Sequence, residues 1–136
     1  MIESKFELLY KDLGLALKSF KSALAIDLLP FDEGVKDTLV NGQIQKFEYN
    51  IELLWKMMKA YFEEGRGIKL FYPMEVIKHY FQEEKITEET YLILTDALKS
   101  RNLLSHVYKE EVYKEIAPKL NSYAIAIEAA YSTFKL

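Results

Sequence analysis

The sequence predicts an all-α fold, an up-and-down bundle of four long helices plus one short helix, in a single domain over residues 1–136. Three observations carry this. Apolar residues recur at alternating steps of three and four through four long stretches. Pro30, Gly65, Gly67 and Pro73 punctuate the chain between such stretches. Nowhere does the period-two alternation of a half-buried strand persist.

The first helix is expected from about Ile2 to Ile26, with Phe6, Leu9, Leu13, Ala16, Phe20 and Ala23 as its buried stripe. Leu28-Leu29-Pro30 should end it, because proline disfavours helical geometry in the residue before it. The second runs from about Glu33 to Glu64 on Ile44, Phe47, Ile51, Leu54, Met58 and Tyr61. Asn41-Gly42 weakens its first part, and Gly65-Arg66-Gly67 stops it. A short third helix spans Pro73 to Gln82, with proline in the first turn where its missing N–H is not needed. The fourth starts after Thr87, an N-cap followed by Glu88 and Glu89, and reaches about Ser105. The fifth covers about Glu110 to Phe134, with Ile116, Leu120, Tyr123, Ile127, Ala130 and Phe134 inward. Pro118 should kink it or mark its effective start.

Composition narrows the function classes. Half of the 136 residues are hydrophobic, 14% are aromatic and none is cysteine, which excludes disulfides and thiolate metal sites. The opening MIESKFELLYKDLG lacks the basic and apolar regions of a signal peptide, and no apolar run approaches a membrane span. A soluble cytoplasmic protein that uses no membrane is expected. The net charge of -3 argues against a broad basic face, so any contact with nucleic acid should be local or shared with a second chain.

The segment 99-KSRNLLSHVYKEE-111 packs Arg101, Asn102, Ser105, His106 and Tyr108 into eight residues. On a continuous helix Asn102 and His106 share a face, as do Arg101 and Ser105, but Arg101 and His106 point about 140° apart. Two arrangements would reunite them: the helix ends near Ser105 and the chain turns back, or two copies of the motif meet across a two-fold axis. The residue types suit attack on a phosphodiester. Histidine exchanges protons near neutral pH. Arginine holds a phosphate by paired hydrogen bonds and stabilises charge on its oxygens. RNA brings its own nucleophile in the 2′-hydroxyl. No His–carboxylate cluster at ligand spacing surrounds His106, so neither a metal nor a cofactor is expected. A polar helix end, with Arg and His facing the negative pole of the dipole, explains the same residues without chemistry.

The motif RNLLSHVY resembles the R-x4-H-x-Y signature of HEPN-domain proteins. The stretch 40-VNGQIQKFEYNIELLWKMMKAYF-62 resembles a characteristic helix of the nucleotidyltransferase substrate-binding protein branch of that superfamily. The segment 73-PMEVIKHYFQEEKI-86 resembles that branch's short helix, with Met74 where an arginine is usual. The likeness covers about Phe6 to Leu120. It implies a helical bundle and a homodimer whose motifs meet at a cleft. It also implies a partner, a minimal nucleotidyltransferase acting as antitoxin to a metal-independent endoribonuclease toxin. Arg101 and His106 would be the catalytic pair, with Asn102 assisting, and the partner would transfer AMP to Tyr108. A non-catalytic substrate-binding subunit of a two-component nucleotidyltransferase is the alternative.

Glu48 and Glu52 lie four apart on the second helix, a like-charged spacing that mildly destabilises an isolated helix. A basic partner, or Arg101 itself, would justify both; otherwise they form a solvated face. Trp55 is expected in the core and His79 at the surface. Most tyrosines other than Tyr108 are expected to pack with an exposed hydroxyl. Lys56, Lys59, Arg66 and Lys69 are candidates for local positive charge toward RNA.

Overall fold

A computed structural model describes residues 3–106 and 110–134. Its elements are α1 (Lys5–Leu24), α2 (Glu33–Arg66), α3 (Pro73–Gln82), α4 (Glu88–His106), α5 (Glu110–Ile116) and α6 (Leu120–Tyr131), with a 3₁₀ turn at Ala117–Lys119. The described residues contain no strand, and the fold is the helical bundle expected.

Each helix boundary has a local cause. Ser4 caps α1 by accepting from the Glu7 N–H at 3.1 Å. The helix stops at Leu24, earlier than Pro30 alone would require. There the Asp27 carboxylate accepts from the Leu29 N–H at 3.0 Å and offers the backbone a turn that competes with helix. Asp32 caps α2 through the Val35 N–H at 2.9 Å. At its far end Gly67 adopts φ 66°, the left-handed geometry that glycine accepts without a Cβ penalty. Between these caps α2 runs unbroken through Asn41-Gly42 for 34 residues, about 51 Å at 1.5 Å per residue. Its first buried side chain is Gln43, so packing supports the helix from just beyond the weak dipeptide. Thr87 caps α4 by accepting from the Thr90 N–H at 3.1 Å. Pro118 replaces one long final helix by α5, the 3₁₀ turn and α6, because its ring excludes the helical position and it donates no hydrogen bond.

Helix α2 packs antiparallel to α1. Along α1 and α2, the Gln43 amide donates to the Ala23 carbonyl at 2.9 Å and the Asn50 amide to the Ala16 carbonyl at 3.1 Å. Helix α6 returns along α1: Lys21 pairs with Glu128 at 2.8 Å, and the Tyr131 ring stacks on Tyr10 at 4.7 Å. Gly14 permits this approach, since a Cβ there would stand 2.7 Å from the Tyr131 hydroxyl. The stripes meet at the centre, where Leu13, Phe20, Ile44, Phe47, Ile51, Leu54, Met58 and Ile127 are all fully buried. Burying side chains of this size contributes roughly 1.5–3 kcal/mol each before entropy is counted. No helix among the described residues is long and apolar enough to cross a membrane.

Candidate functional site

Helix α2 presents two faces. Ile44, Phe47, Ile51 and Leu54 turn inward, which leaves positions 45, 48, 49 and 52 on the side facing α4 and solvent. The last turns of α4 lie across this face and place Arg101 against Glu52. The Nη2 to Oε2 separation is 2.6 Å, with 31% and 22% of the two side chains exposed. This is a close charge contact rather than a directed, forked hydrogen bond. Glu52 also stands 3.7 Å from Lys56, one turn along α2. Glu48 lies one turn the other way. Burial pushes its carboxyl above the usual carboxylate range, and the Arg101 charge draws it partly back.

These side chains wall an open groove of about 340 Å³, lined by Gln45, Glu48, Tyr49, Glu52, Arg101 and Ser105. Four of the residues singled out by sequence, Arg101, Ser105, Glu48 and Glu52, thus stand together. The Ser105 hydroxyl is occupied inside its own helix, donating to the Arg101 carbonyl at 3.1 Å.

Asn102 and His106 do not join them. Helix α4 stays regular through His106, so both lie on its other, exposed face, about 140° from Arg101 in the case of His106. Within the described residues the chain does not turn back at Ser105, and one chain does not bring His106 to Arg101. Tyr108 lies outside the described residues. Among those described, no three His, Asp or Glu side chains group as a metal site.

The remaining candidates separate. Arg66 is about 21 Å along α2 from Glu52, at 1.5 Å per residue. There it pairs with Glu83 and donates to the Tyr61 hydroxyl at 3.3 Å. His79 sets its ring edge-on to Phe62 at 4.8 Å. Trp55 is half-buried against the core, and its indole N–H is enclosed with no protein acceptor. Sequence reasoning passed over Tyr49, which is 56% exposed on the groove wall. The signal was present: Tyr49 falls off the 44, 47, 51, 54, 58 stripe and onto the polar side shared by Gln45 and Glu52.

Fold and groove define a helical bundle with Arg101 held against Glu52 in a surface groove and His106 exposed on another face of the same helix. A family model described as nucleotidyltransferase substrate binding protein like matches residues 8–135, and the chain belongs to that family. It is also similar to a Thermus thermophilus protein of known crystal structure. The two share 25% identity over 88% of this chain and 96% of that one, with a TM-score of 0.74. No curated protein matches the chain.

Proposed function

We propose that this chain is a HEPN-type, metal-independent endoribonuclease that works as the toxin-like half of a pair with a minimal nucleotidyltransferase. Its active site is completed in a homodimer. The observation that supports this most is the placement of Arg101, a guanidinium fixed by Glu52 on the wall of an open groove, with His106 exposed five residues on. In the dimer His106 takes the proton from an RNA 2′-hydroxyl, whose oxygen attacks the adjacent phosphorus. The second copy's Arg101 holds the phosphoryl oxygens as negative charge develops. The protonated His106 then gives its proton to the departing 5′-oxygen, which leaves a 2′,3′-cyclic phosphate and a 5′-hydroxyl. Asn102, on the His106 face, steadies the substrate. Transfer of AMP from ATP to the Tyr108 phenol, with release of pyrophosphate, adds a bulky anion beside the motif and turns the site off.

A second reading, a non-catalytic substrate-binding subunit of a nucleotidyltransferase, is favoured by the two carboxylates that face a single guanidinium in the groove. Cleavage of total RNA and tRNA in EDTA separates the two. The unmodified protein is expected to cut and to leave cyclic phosphate ends. His106→Ala should slow cleavage roughly a hundred-fold or more, and Arg101→Ala should act likewise. Equal silence of all three, with Tyr108 unmodified by intact mass, would favour the binding subunit.

A further inference from the structure

The ribonuclease reading assigns no task to Tyr49. Its ring is 56% exposed on a helix whose other large side chains are mostly packed. Together with Gln45 it forms the crest between two depressions. On one side is the Arg101 groove. On the other is a cleft of about 500 Å³ between α1 and α2, walled by Asp12, Leu15, Ala16 and Lys46. That volume lies within the range of small-ligand sites.

The chemistry of the cleft selects its occupant. Leu15, 72% exposed, and the Tyr49 ring offer flat apolar surface. The Gln45 amide offers both a donor and an acceptor. The charges balance: the Lys46 ammonium donates to the Ser19 hydroxyl at 2.7 Å, and Asp12 supplies the opposing carboxylate. A second phosphate would face Asp12 without a surplus of positive charge. A nucleobase fits better, being uncharged and flat, with hydrogen-bonding groups along its edge. Aromatic side chains beside a cationic phosphate contact are how single-stranded nucleic acid is held without sequence preference.

We infer that Tyr49 is a stacking platform for a nucleobase next to the phosphate held by Arg101, and that the α1–α2 cleft receives that base from single-stranded RNA. The inference rests on the ribonuclease reading and adds a base subsite to it.

The test is the affinity of a fluorescein-labelled single-stranded RNA, 2′-O-methylated throughout so that it lacks the attacking hydroxyl, for the full chain, compared with Tyr49→Ala, Tyr49→Phe and Arg101→Ala. Tyr49 is exposed, so its replacement should leave the melting temperature unchanged. Tyr49→Ala is expected to weaken binding roughly ten-fold, while Tyr49→Phe, which keeps the ring, binds as the wild type does. An abasic residue walked along the RNA should reproduce the loss at one position for the wild type and add nothing for Tyr49→Ala. If Arg101→Ala loses affinity while Tyr49→Ala does not, the base subsite is overturned and the ribonuclease reading stands. If Tyr49→Ala changes the oligomeric state with RNA affinity intact, the surface belongs to a protein contact and the subsite is again overturned. If the wild type does not bind RNA at all, both ideas fall together.

Discussion

At Arg101 the geometry resolves a tension visible in the residues alone. Glu48 and Glu52 repel each other one turn apart, and the guanidinium at 2.6 Å from Glu52 compensates them. The pair is partly solvated, so Glu52→Gln should cost no more than about 1 kcal/mol of stability, measured by chemical denaturation. Its larger consequence is freedom for Arg101 to leave its place. Glu48 behaves differently. Its folded-state affinity for a proton is raised, chiefly by burial. The ionised form is therefore a net cost to the fold, absent in acid and fully present once pH exceeds the raised value. Glu48→Gln should raise the melting temperature at neutral pH, and that gain should shrink as pH falls through the carboxylate range. A gain that persists in acid would show that burial of charge is not its cause. The Arg101–Glu52 pairing was legible because a like-charged couple calls for a cation. The separation of Arg101 from His106 was half legible, since helical geometry fixes the angle.

Between elements, a polar clasp joins α4 to α6. The Tyr123 hydroxyl donates to Asp96 at 2.5 Å and lies 2.8 Å from the Ser100 hydroxyl, while Lys119 reaches Asp96 at 3.4 Å. The same ring stacks on Phe47 at 4.9 Å, so one side chain serves both core and clasp. Tyr123→Phe keeps the stack and removes the bonds, and should cost about 1–2 kcal/mol. Burial, then the bond to Asp96, raises the Tyr123 phenol above its ordinary value. Burial likewise pushes Tyr131 up to about 12. Both protonated phenols stabilise the fold below the ordinary tyrosine pKa near 10 and cease to as pH climbs toward and past 12. Tyr123→Phe should flatten this alkaline loss in a denaturation series. Equal slopes would place the alkaline sensitivity elsewhere. The sequence announced elements well where a chemically singular residue punctuates them, as Gly67, Pro73 and Thr87 do. It placed the end of α1 at about Ile26, two residues beyond Leu24. The clasp was illegible, because Asp96, Ser100 and Tyr123 meet only through the packing of two helices.

The molecule as a whole carries more acidic than basic residues, and its net charge of -3 offers RNA little long-range attraction. On the proposed function, affinity for RNA would come from a few contacts, which suits a site assembled from two copies and a stacked base. The apolar stripes made the bundle readable, since each marks a helix face that is covered by another element. The groove was less readable, because exposed residues such as Tyr49 obey no periodicity requirement. A shared site makes one distinctive demand. Arg101→Ala and His106→Ala chains, each silent alone, should regain cutting when co-expressed with different tags and purified as mixed dimers. One of the two clefts then holds an intact arginine from one chain and an intact histidine from the other. Recovery approaching half the wild-type rate in EDTA is the expected result. Mixed dimers as silent as either parent, with the wild type active, would contradict a site divided between two copies.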